Sequence, residues 1–312
     1  MNKSTIYIAD CDAAGGIYVY DFENGVLSQK QFVPLDRPMY LCIDKNRLYC
    51  IIREAFGVNS GIISYKIDQN GCLYEPSEVI STEGEVCCHL CVKDGSVFSA
   101  NYRSGSVNLL GAVTVVHSGS SVHPVRQTAP HTHFTNISPD GKYLLVCDLG
   151  LDAVVTYTLD LQEVSRAYVP AGHGARHLVY SEDGKTVYAV NELTSTISVF
   201  DYNNGVLEHI ETVEGLPSEE FSGESYAAAI RRDGDLLYIS QRGFNAISIF
   251  DISNKIPVYK TSFPSNGHYP RDFDIFGDYI IVTNEGANAS VFNKHTFQKT
   301  CEIPLHSPLC VI

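Results

Sequence analysis

The sequence contains no tryptophan and only two methionines among its 312 residues, and it is poor in basic side chains. It has 22 Lys and Arg against 36 Asp and Glu, a net charge of −14, and no run of Lys or Arg. Proteins that bind nucleic acid or anionic lipid surfaces carry basic patches or clusters. We therefore expect neither nucleic acid nor a membrane among its partners.

Long apolar stretches are also missing. A membrane-spanning helix needs about 18 consecutive apolar residues, and the sequence has no such stretch. Residues 1–10 become strand-like almost at once and lack the layout of a signal peptide. Ten cysteines fit a reducing compartment if they stay unpaired. These features predict a cytoplasmic protein.

One pair of cysteines, Cys88 and Cys91, has the spacing of a metal or redox motif. On a β-strand, residues three apart point to opposite faces of the sheet, so these two thiols would not share a metal. Small residues buried on a strand explain the pair equally well. We expect no metal and no cofactor.

The sequence is rich in strand-forming and turn-forming residues. Short runs of Val, Ile, Tyr and Thr are bounded by Gly, Asn and Asp, which is typical of strands joined by turns. Seven related segments share an aromatic or aliphatic residue, two small or apolar residues and, in six of them, a polar fourth residue. Their first residues are Tyr7, Tyr49, Phe98, Leu145, Tyr188, Tyr238 and Ile281. The spacings of 42 to 50 residues are typical of a β-propeller.

Each repeat predicts four strands, which we name a, b, c and d, with the related segment as strand b. Asp-Gly turns such as Asp140-Gly141 join strands a and b. The first repeat lacks a strand a, while Pro308–Ile312 forms a spare apolar strand at the other end. We predict an all-β, seven-bladed β-propeller of four antiparallel strands per blade, a single domain over residues 1–312. The C-terminal strand would complete the first blade and close the ring.

In such a ring, strand a lines the central channel and strand b runs antiparallel beside it, so the start of a and the end of b share one mouth. The predicted starts of strand a are Arg37, Cys87, His133, Arg176, Tyr226 and Arg271. The predicted ends of strand b are Asp10, Ile52, Asn101, Asp148, Asn191, Gln241 and Asn284. The residues that follow them include Arg53, Tyr102, Glu192, Arg242 and Glu285. Asp and Asn at strand ends often cap turns, whereas several Arg and His at one mouth indicate an anion site.

His131 and His133 flank Thr132, a spacing that puts both rings on one face of a strand and suits a metal pair. Only Asp148 and His177 are candidates for a third ligand. An acid–base or anion-binding role is therefore favoured over a metal site.

These segments resemble the lactonase family of seven-bladed propellers, which includes the bacterial propeller-type 6-phosphogluconolactonase and the fungal carboxy-cis,cis-muconate cyclase. The resemblance is strongest between residues 130 and 290. It rests on Pro130-His-Thr-His133, Ser138-Pro-Asp-Gly-Lys-Tyr143, Asp148-Leu-Gly-Leu-Asp152, Gly174-Ala-Arg-His177, Val190-Asn-Glu-Leu193, Ala228-Ala-Ile230, Gln241-Arg-Gly243, Pro270-Arg271 and Asn284. The resemblance implies that the catalytic groups are a histidine of the His131/His133 pair, Arg176, Glu192 and Arg242. Ala175, where the family usually has Pro, and Gln241, where it usually has Asn, depart from the pattern, and Ile52 interrupts the polar ring.

The resemblance implies hydrolysis of a small anionic sugar-acid lactone, above all 6-phosphogluconolactone. Glu192 or His133 would act as the base, and Arg176 or Arg242 would stabilise the oxyanion. Arg271 with Arg37 would hold the phosphate. The remaining substrate-binding candidates are Asp148, His177 and Asn284.

Two alternatives stay open. A different lactonase or a muconate-type lactonizing cycloisomerase needs the same acid–base pair and the same cationic groups for carboxylates. A non-catalytic binding scaffold is the third possibility, since a fold does not fix a function. The sequence leaves the oligomeric state open.

Overall fold

The computed structural model describes residues 4–217, 221, 223–286 and 288–312. In this part of the chain the regular elements are all β-strands, and they form seven antiparallel sheets, the blades of a closed ring. The predicted seven-bladed propeller with four strands per blade is thereby confirmed. Among the described residues there is no helix able to cross a membrane.

The strands a, in blade order from blade 2 to blade 7 and then blade 1, are β4 (Pro38–Asp44), β9 (Cys87–Lys93), β13 (Thr132–Ile137), β17 (Ala175–Tyr180), β21 (Tyr226–Asp233), β25 (Pro270–Phe276) and β29 (Pro308–Val311). The strands b of blades 1 to 7 are β1 (Ser4–Asp10), β5 (Arg47–Phe56), β10 (Ser96–Asn101), β14 (Tyr143–Asp148), β18 (Thr186–Asn191), β22 (Leu236–Arg242) and β26 (Tyr279–Asn284).

The strands c are β2 (Gly16–Glu23), β6 (Asn59–Ile67), β11 (Ser106–Leu109), β15 (Ala153–Thr158), β19 (Thr196–Asn203), β23 (Ala246–Asp251) and β27 (Asn288–Asn293). The strands d are β3 (Val26–Pro34), β7 (Leu73–Pro76), β12 (Val113–Val116), β16 (Glu163–Tyr168), β20 (Val206–Glu214), β24 (Val258–Pro264) and β28 (Lys299–Pro304). Blade 2 has a fifth strand, β8 (Ile80–Glu85), which pairs with β6.

The hydrophobic core lies between the blades rather than inside any one of them. Each strand b is apolar along its length because both of its faces are covered, one by each neighbouring blade. In β14, Leu144 and Val146 pack toward blade 3, whereas Leu145 and Cys147 pack toward blade 5. Seven such clusters, one at each junction, hold the ring together.

The C-terminal strand closes the ring as predicted. In β29, Val311 pairs with Ile8 and Cys310 with Ala9 of β1. Tyr7 and Ile312 exchange two backbone hydrogen bonds of 2.8 and 3.0 Å. The first and last strands of the chain therefore share blade 1, and burial of their apolar side chains ties the two ends of the ring together.

Every strand a has a β-bulge near its first residue, where one extra residue interrupts the pairing with strand b. A bulge bends the strand and redirects a side chain. The residues within the bulges are Met39 and Tyr40, Cys88, His133, Arg176, Ala228 and Ala229, Arg271 and Leu309.

Candidate active site

The mouth of the channel at which the strands a begin contains a cavity of about 350 Å³. The antiparallel register puts the end of each strand b at this same mouth, for example Asn191 opposite Ala175 and Asn284 opposite Pro270. The cavity walls are formed by Met39, Arg53, Val86, Cys88, Tyr102, Arg126, His133, Glu192, Arg242, Arg271, Glu285 and Leu309. Four of these residues are arginines: Arg53, Arg126, Arg242 and Arg271. A fifth arginine, Arg176, lines a narrower space at the floor of the cavity.

In blades 4, 5 and 7 the bulge of strand a directs one polar side chain toward the channel. His133, Arg176 and Arg271 are bulge residues, and all three contact the cavity or the narrow space beneath it. In three other blades, counting alternate residues along the sequence gives the wrong residue for this position. There the bulges hold Met39, Cys88 and Ala228 instead of the expected Arg37, Cys87 and Tyr226. A bulge adds one residue to the strand, so a strict period of two loses the register.

Arg37 lies outside the cavity, in contrast to its predicted role beside Arg271. It precedes β4 in the left-handed region of φ, at 47°, and its side chain pairs with Asp36 at 2.9 Å and with Glu54. Both carboxylates are exposed. Arg37 therefore contacts acidic residues at the rim of the mouth and does not line the cavity.

The polar residues that end the strands b form what we call the strand-end ring: Asp10, Asn101, Asp148, Asn191, Gln241 and Asn284. These side chains are completely buried behind the cavity wall. Asp148, for example, accepts hydrogen bonds from the backbone of His131 and Leu151 at 2.8 and 3.1 Å and pairs with His117 at 2.6 Å. Asn284 donates to the Ser265 carbonyl at 3.3 Å. Asp148 and Asn284, both expected to bind substrate, hold loops in this structure.

One residue further along the chain, the side chains face the cavity. We call this set the cavity ring: Arg53, Tyr102, Glu192, Arg242 and Glu285. The alternation of a β-strand accounts for the contrast, because neighbouring residues point to opposite sides. Glu192 and Arg242 belong to the predicted site; Arg53, Tyr102 and Glu285 were noted at this mouth in the sequence but not assigned a role.

Glu192 is the centre of a buried ionic cluster. Its Oε2 accepts a hydrogen bond from Arg176 Nε at 2.9 Å and forms an ion pair with Arg242 Nη2 at 2.9 Å, and its Oε1 accepts from Arg126 Nη2 at 2.6 Å. Only 4% of the Glu192 side chain is exposed. Burial alone would raise the pKa of Glu192, but the attraction of Arg242 and Arg176 outweighs it and holds the pKa well below its ordinary value. This carboxylate orients arginines and is a poor proton acceptor.

His133 has the opposite character. Burial, reinforced by the charge of Arg176, holds the pKa of His133 well below its ordinary value, so the imidazole is neutral. Its Nδ1 is buried and has no hydrogen-bond partner among the described residues. Arg176 is held at Nε by Glu192, which leaves its buried Nη1 without a partner in the same part of the chain. A neutral base and an unpaired guanidinium N–H thus adjoin one small space.

The other two histidines differ in position. His131 lies outside the narrow space, whereas His177 lines it together with His133 and Arg176, and its buried Nδ1 has no hydrogen-bond partner among the described residues. His131 lies behind Tyr102: the two rings stack at 4.4 Å, and His131 Nδ1 donates to the Tyr102 carbonyl at 2.9 Å. His177 lies below His133, 5.3 Å away between ring centroids, and packs on Phe134 at 4.5 Å. Within the described ranges, no three His, Cys, Asp or Glu residues form a group that could hold a metal ion.

Arg126 reaches this site although nothing in the strand pattern points to it. It lies between β12 and β13, in a segment outside the regular strands, and its guanidinium contacts Glu192 and, at 3.2 Å, the Tyr102 hydroxyl. The repeat assigns no strand position to residues of an irregular segment. The position of Arg126 is therefore known only from the folded structure.

Comparison with known proteins agrees with this geometry. The family described as "Lactonase, 7-bladed beta-propeller" matches residues 5–307. The chain belongs to this family. An uncharacterized protein of Staphylococcus aureus (strain N315) is 31% identical to it over 295 residues, 87% of this chain and 85% of its own. The crystal structure of a Lactobacillus plantarum protein superposes with a TM-score of 0.89 at 26% identity, covering 99% of both chains. The periplasmic gluconolactonase of Pseudomonas aeruginosa superposes with a TM-score of 0.88 at 25% identity, covering 100% of this chain and 99% of that one.

In this lactonase-family chain, the departures at Ala175 and Gln241 affect the strand-end contacts rather than the cavity. Ala175 is buried and pairs with Asn191. Gln241 donates to the Gly215 carbonyl at 2.8 Å, as Asn284 does to Ser265. Both residues preserve the inter-strand connections on which the mouth depends.

Another groove, of about 420 Å³, lies between blades 2 and 3. Its walls are formed by residues such as Ile62, Ile63 and Leu109, and they contain no acidic, basic or histidine side chain. This groove offers no acid–base group, whereas the mouth combines arginines, Glu192 and a neutral histidine. We therefore take the mouth as the candidate active site of the lactonase-family propeller.

Proposed function

We propose that this lactonase-family propeller hydrolyses a phosphorylated sugar-acid lactone, 6-phosphoglucono-δ-lactone. The observation that carries the proposal is the neutral His133 beside the unpaired Nη1 of Arg176, at the floor of a cavity rich in arginine. A neutral imidazole accepts a proton from water, and a fixed guanidinium N–H stabilises a developing oxyanion.

In the proposed reaction, a water oxygen attacks the carbonyl carbon of the lactone while His133 accepts a proton from the water. The carbonyl oxygen becomes an oxyanion facing Arg176. Collapse of this intermediate breaks the ring C–O bond, and the protonated His133 returns a proton to the departing alkoxide. The product acid then ionises to a carboxylate in solution. No covalent enzyme intermediate is needed.

The proposal distinguishes between the two bases that the sequence left open. The three arginine contacts that depress the pKa of Glu192 also lower its proton affinity. The pKa of His133 is lowered as well, by burial and by Arg176, but its imidazole makes no ion pair and its Nδ1 has no partner among the described residues, so this nitrogen is free to accept a proton from water. Glu192 is therefore assigned to hold Arg176 and Arg242 in place, and His133 is assigned as the base.

The charge of the cavity favours an anionic substrate. Arg53, Arg126, Arg176, Arg242 and Arg271 line the cavity and the narrow space beneath it, against three carboxylates, those of Glu192, Glu285 and Asp272. Asp272 is already paired with a further arginine, Arg231, at 2.8 Å. The net charge of −14 is spread over the whole chain and screened beyond about 8–10 Å, so the local excess of positive charge decides what enters. A gluconolactonase and a candidate 6-phosphogluconolactonase of Bacteroides fragilis, at 25% identity and a TM-score of 0.88, are among its structural relatives.

The test is hydrolysis of three freshly prepared lactones by the purified protein, with and without a chelator: 6-phosphoglucono-δ-lactone, glucono-δ-lactone and a muconolactone. After subtraction of spontaneous hydrolysis, the phosphorylated lactone should have the highest kcat/KM, and the chelator should leave the rate unchanged. A preference for the muconolactone would favour the cycloisomerase alternative. Absence of any acceleration would overturn the proposal in favour of a binding scaffold.

A further inference from the structure

Arg53 differs from the other arginines of the mouth in lacking a counter-charge. Arg126, Arg176 and Arg242 contact Glu192, and Arg271 contacts Glu285 at 3.3 Å. Within the described residues, the Arg53 side chain makes no ion pair, and its buried Nε has no hydrogen-bond partner. Buried polar groups in folded proteins are nearly always hydrogen-bonded, so an exception in a cavity wall indicates a partner that binds there.

Arg53 and Arg271 lie on either side of blade 1, in blades 2 and 7 respectively. Between them blade 1 contributes Cys11, whose thiol donates to Met39 Sδ at 3.4 Å, and Leu309. Burial raises the pKa of Cys11 to about 11, and the nearby Arg53 and Arg271 both oppose that rise. Both guanidinium groups line the cavity, whereas Arg37, which also opposes that rise, does not line it.

Arg271 lines both the cavity that contains Arg53 and the narrow space that contains His133 and Arg176. His133, Arg176 and Arg242 come from blades 4, 5 and 6, whereas Arg53 and Arg271 come from blades 2 and 7. A ligand that fills a cavity of about 350 Å³ would contact both sides. Of Arg53 and Arg271, Arg53 lines the cavity but not the narrow space, so a group that binds Arg53 is separate from the group that reacts between His133 and Arg176.

We propose that Arg53, together with Arg271, forms a subsite for the phosphoryl group of the substrate. The inference rests on the proposed function for the position of the lactone, but the subsite itself requires only the anion. Guanidinium groups bind phosphate through two parallel N–H···O bonds. Arg53 has its whole charge available, and the long contact of Arg271 with Glu285 leaves that guanidinium able to take a second anion.

The first experiment uses inorganic phosphate alone and needs no catalysis. Calorimetric titration at constant ionic strength should show phosphate binding to the wild type, and Arg53→Gln should weaken it by about tenfold or more. The matched control is Arg103→Gln, which removes the same charge from a side chain that is 71% exposed at the rim. This control should bind phosphate as the wild type does. Absence of binding to the folded wild type, or an equal loss in both variants, would overturn the subsite.

A parallel titration with acetate separates phosphate from carboxylate recognition. The subsite should bind acetate far more weakly than phosphate, because acetate has one negative charge and two oxygens. If acetate bound as tightly and depended on Arg53 equally, the phosphate assignment would be wrong. Melting temperatures within about 2 °C of the wild type would show that the variants are folded.

The second experiment tests whether the subsite binds the substrate during the reaction. Arg53→Gln should raise KM for 6-phosphoglucono-δ-lactone by about tenfold with little change in kcat, and should leave both constants for glucono-δ-lactone near the wild-type values. Equal changes for the two lactones would contradict the inference. If neither lactone is hydrolysed but phosphate binding still depends on Arg53, the proposed function fails while the subsite stands.

Discussion

The two rings at the mouth of this lactonase-family propeller are adjacent in sequence but differ in what they contact. The strand-end ring, which includes Asp148 and Gln241, is completely buried and bonds to loops. The cavity ring, which includes Glu192 and Arg242, lines the space available to a ligand. The polar residue that ends a strand b is therefore needed by the fold, whereas the residue that follows it is available for chemistry.

The comparison shows why polarity alone does not identify a site. The ends of the strands have backbone groups without partners in the sheet, and buried backbone groups must be hydrogen-bonded. The strand-end ring meets this need in blade after blade, whatever the ligand. Among the described contacts of the cavity-ring side chains, only Arg242 donates to backbone carbonyls, those of Tyr226 and Ala227 at 3.3 and 3.5 Å. The ionic cluster around Glu192 therefore needs another explanation.

The largest effect should follow a change in the strand-end ring. Asp148→Ala would leave His117 Nδ1 and the backbone N–H groups of His131 and Leu151 without their acceptor. We expect the free energy of unfolding to fall by about 3–5 kcal/mol, measured by urea denaturation. Asp148→Asn, which keeps one carbonyl oxygen, should lose less. Unchanged stability with abolished hydrolysis would instead place Asp148 in the substrate site.

The corresponding change at the floor of the cavity should act on the rate. Arg176→Ala removes the unpaired Nη1 that would face the oxyanion, and kcat should fall about a hundredfold, equivalent to roughly 3 kcal/mol. Glu192 would retain Arg126 and Arg242, so the variant should remain folded. Undiminished turnover in this variant would remove Arg176 from the mechanism.

The pH dependence sharpens the distinction between the two acid–base candidates. His133 is active as a base when neutral, and its pKa lies well below 6.5. Lowering the pH through 6.5 should therefore leave kcat/KM unchanged, with a loss only where His133 becomes protonated at lower pH. Rate profiles between about pH 5 and 8, corrected for spontaneous hydrolysis, test this. A midpoint near 6.5 would contradict the assignment, and Gln241→Ala should not shift the profile.

The smallest effect is expected from Arg37→Gln. Because Arg37 pairs with the exposed carboxylates of Asp36 and Glu54 outside the cavity, its removal should leave the free energy of unfolding close to that of the wild type. KM for the phosphorylated lactone should stay within about twofold of the wild type. A large and selective increase in KM would restore the role that the sequence suggested for Arg37 and would show that the rim moves toward the cavity.

The sequence predicted the fold down to the closing strand, and it named Glu192, Arg176, Arg242, His133 and Arg271, all of which lie at one mouth. It did not distinguish them from Asp148 and Asn284, because both rings are polar and both lie at strand ends. The assignment of catalytic roles remains a prediction that the experiments above address.

The repeat of alternating apolar residues determined the fold of this protein by itself, because a strand b that is apolar on both faces is stable only between two neighbouring blades. The unmatched strands at the two ends determined how the ring closes. Tertiary structure decided the composition of the site. The bulges brought Met39 and Cys88 to positions expected for Arg37 and Cys87. The segment that carries Arg126 has no strand register, and it acquires its contact with Glu192 only when the blades assemble.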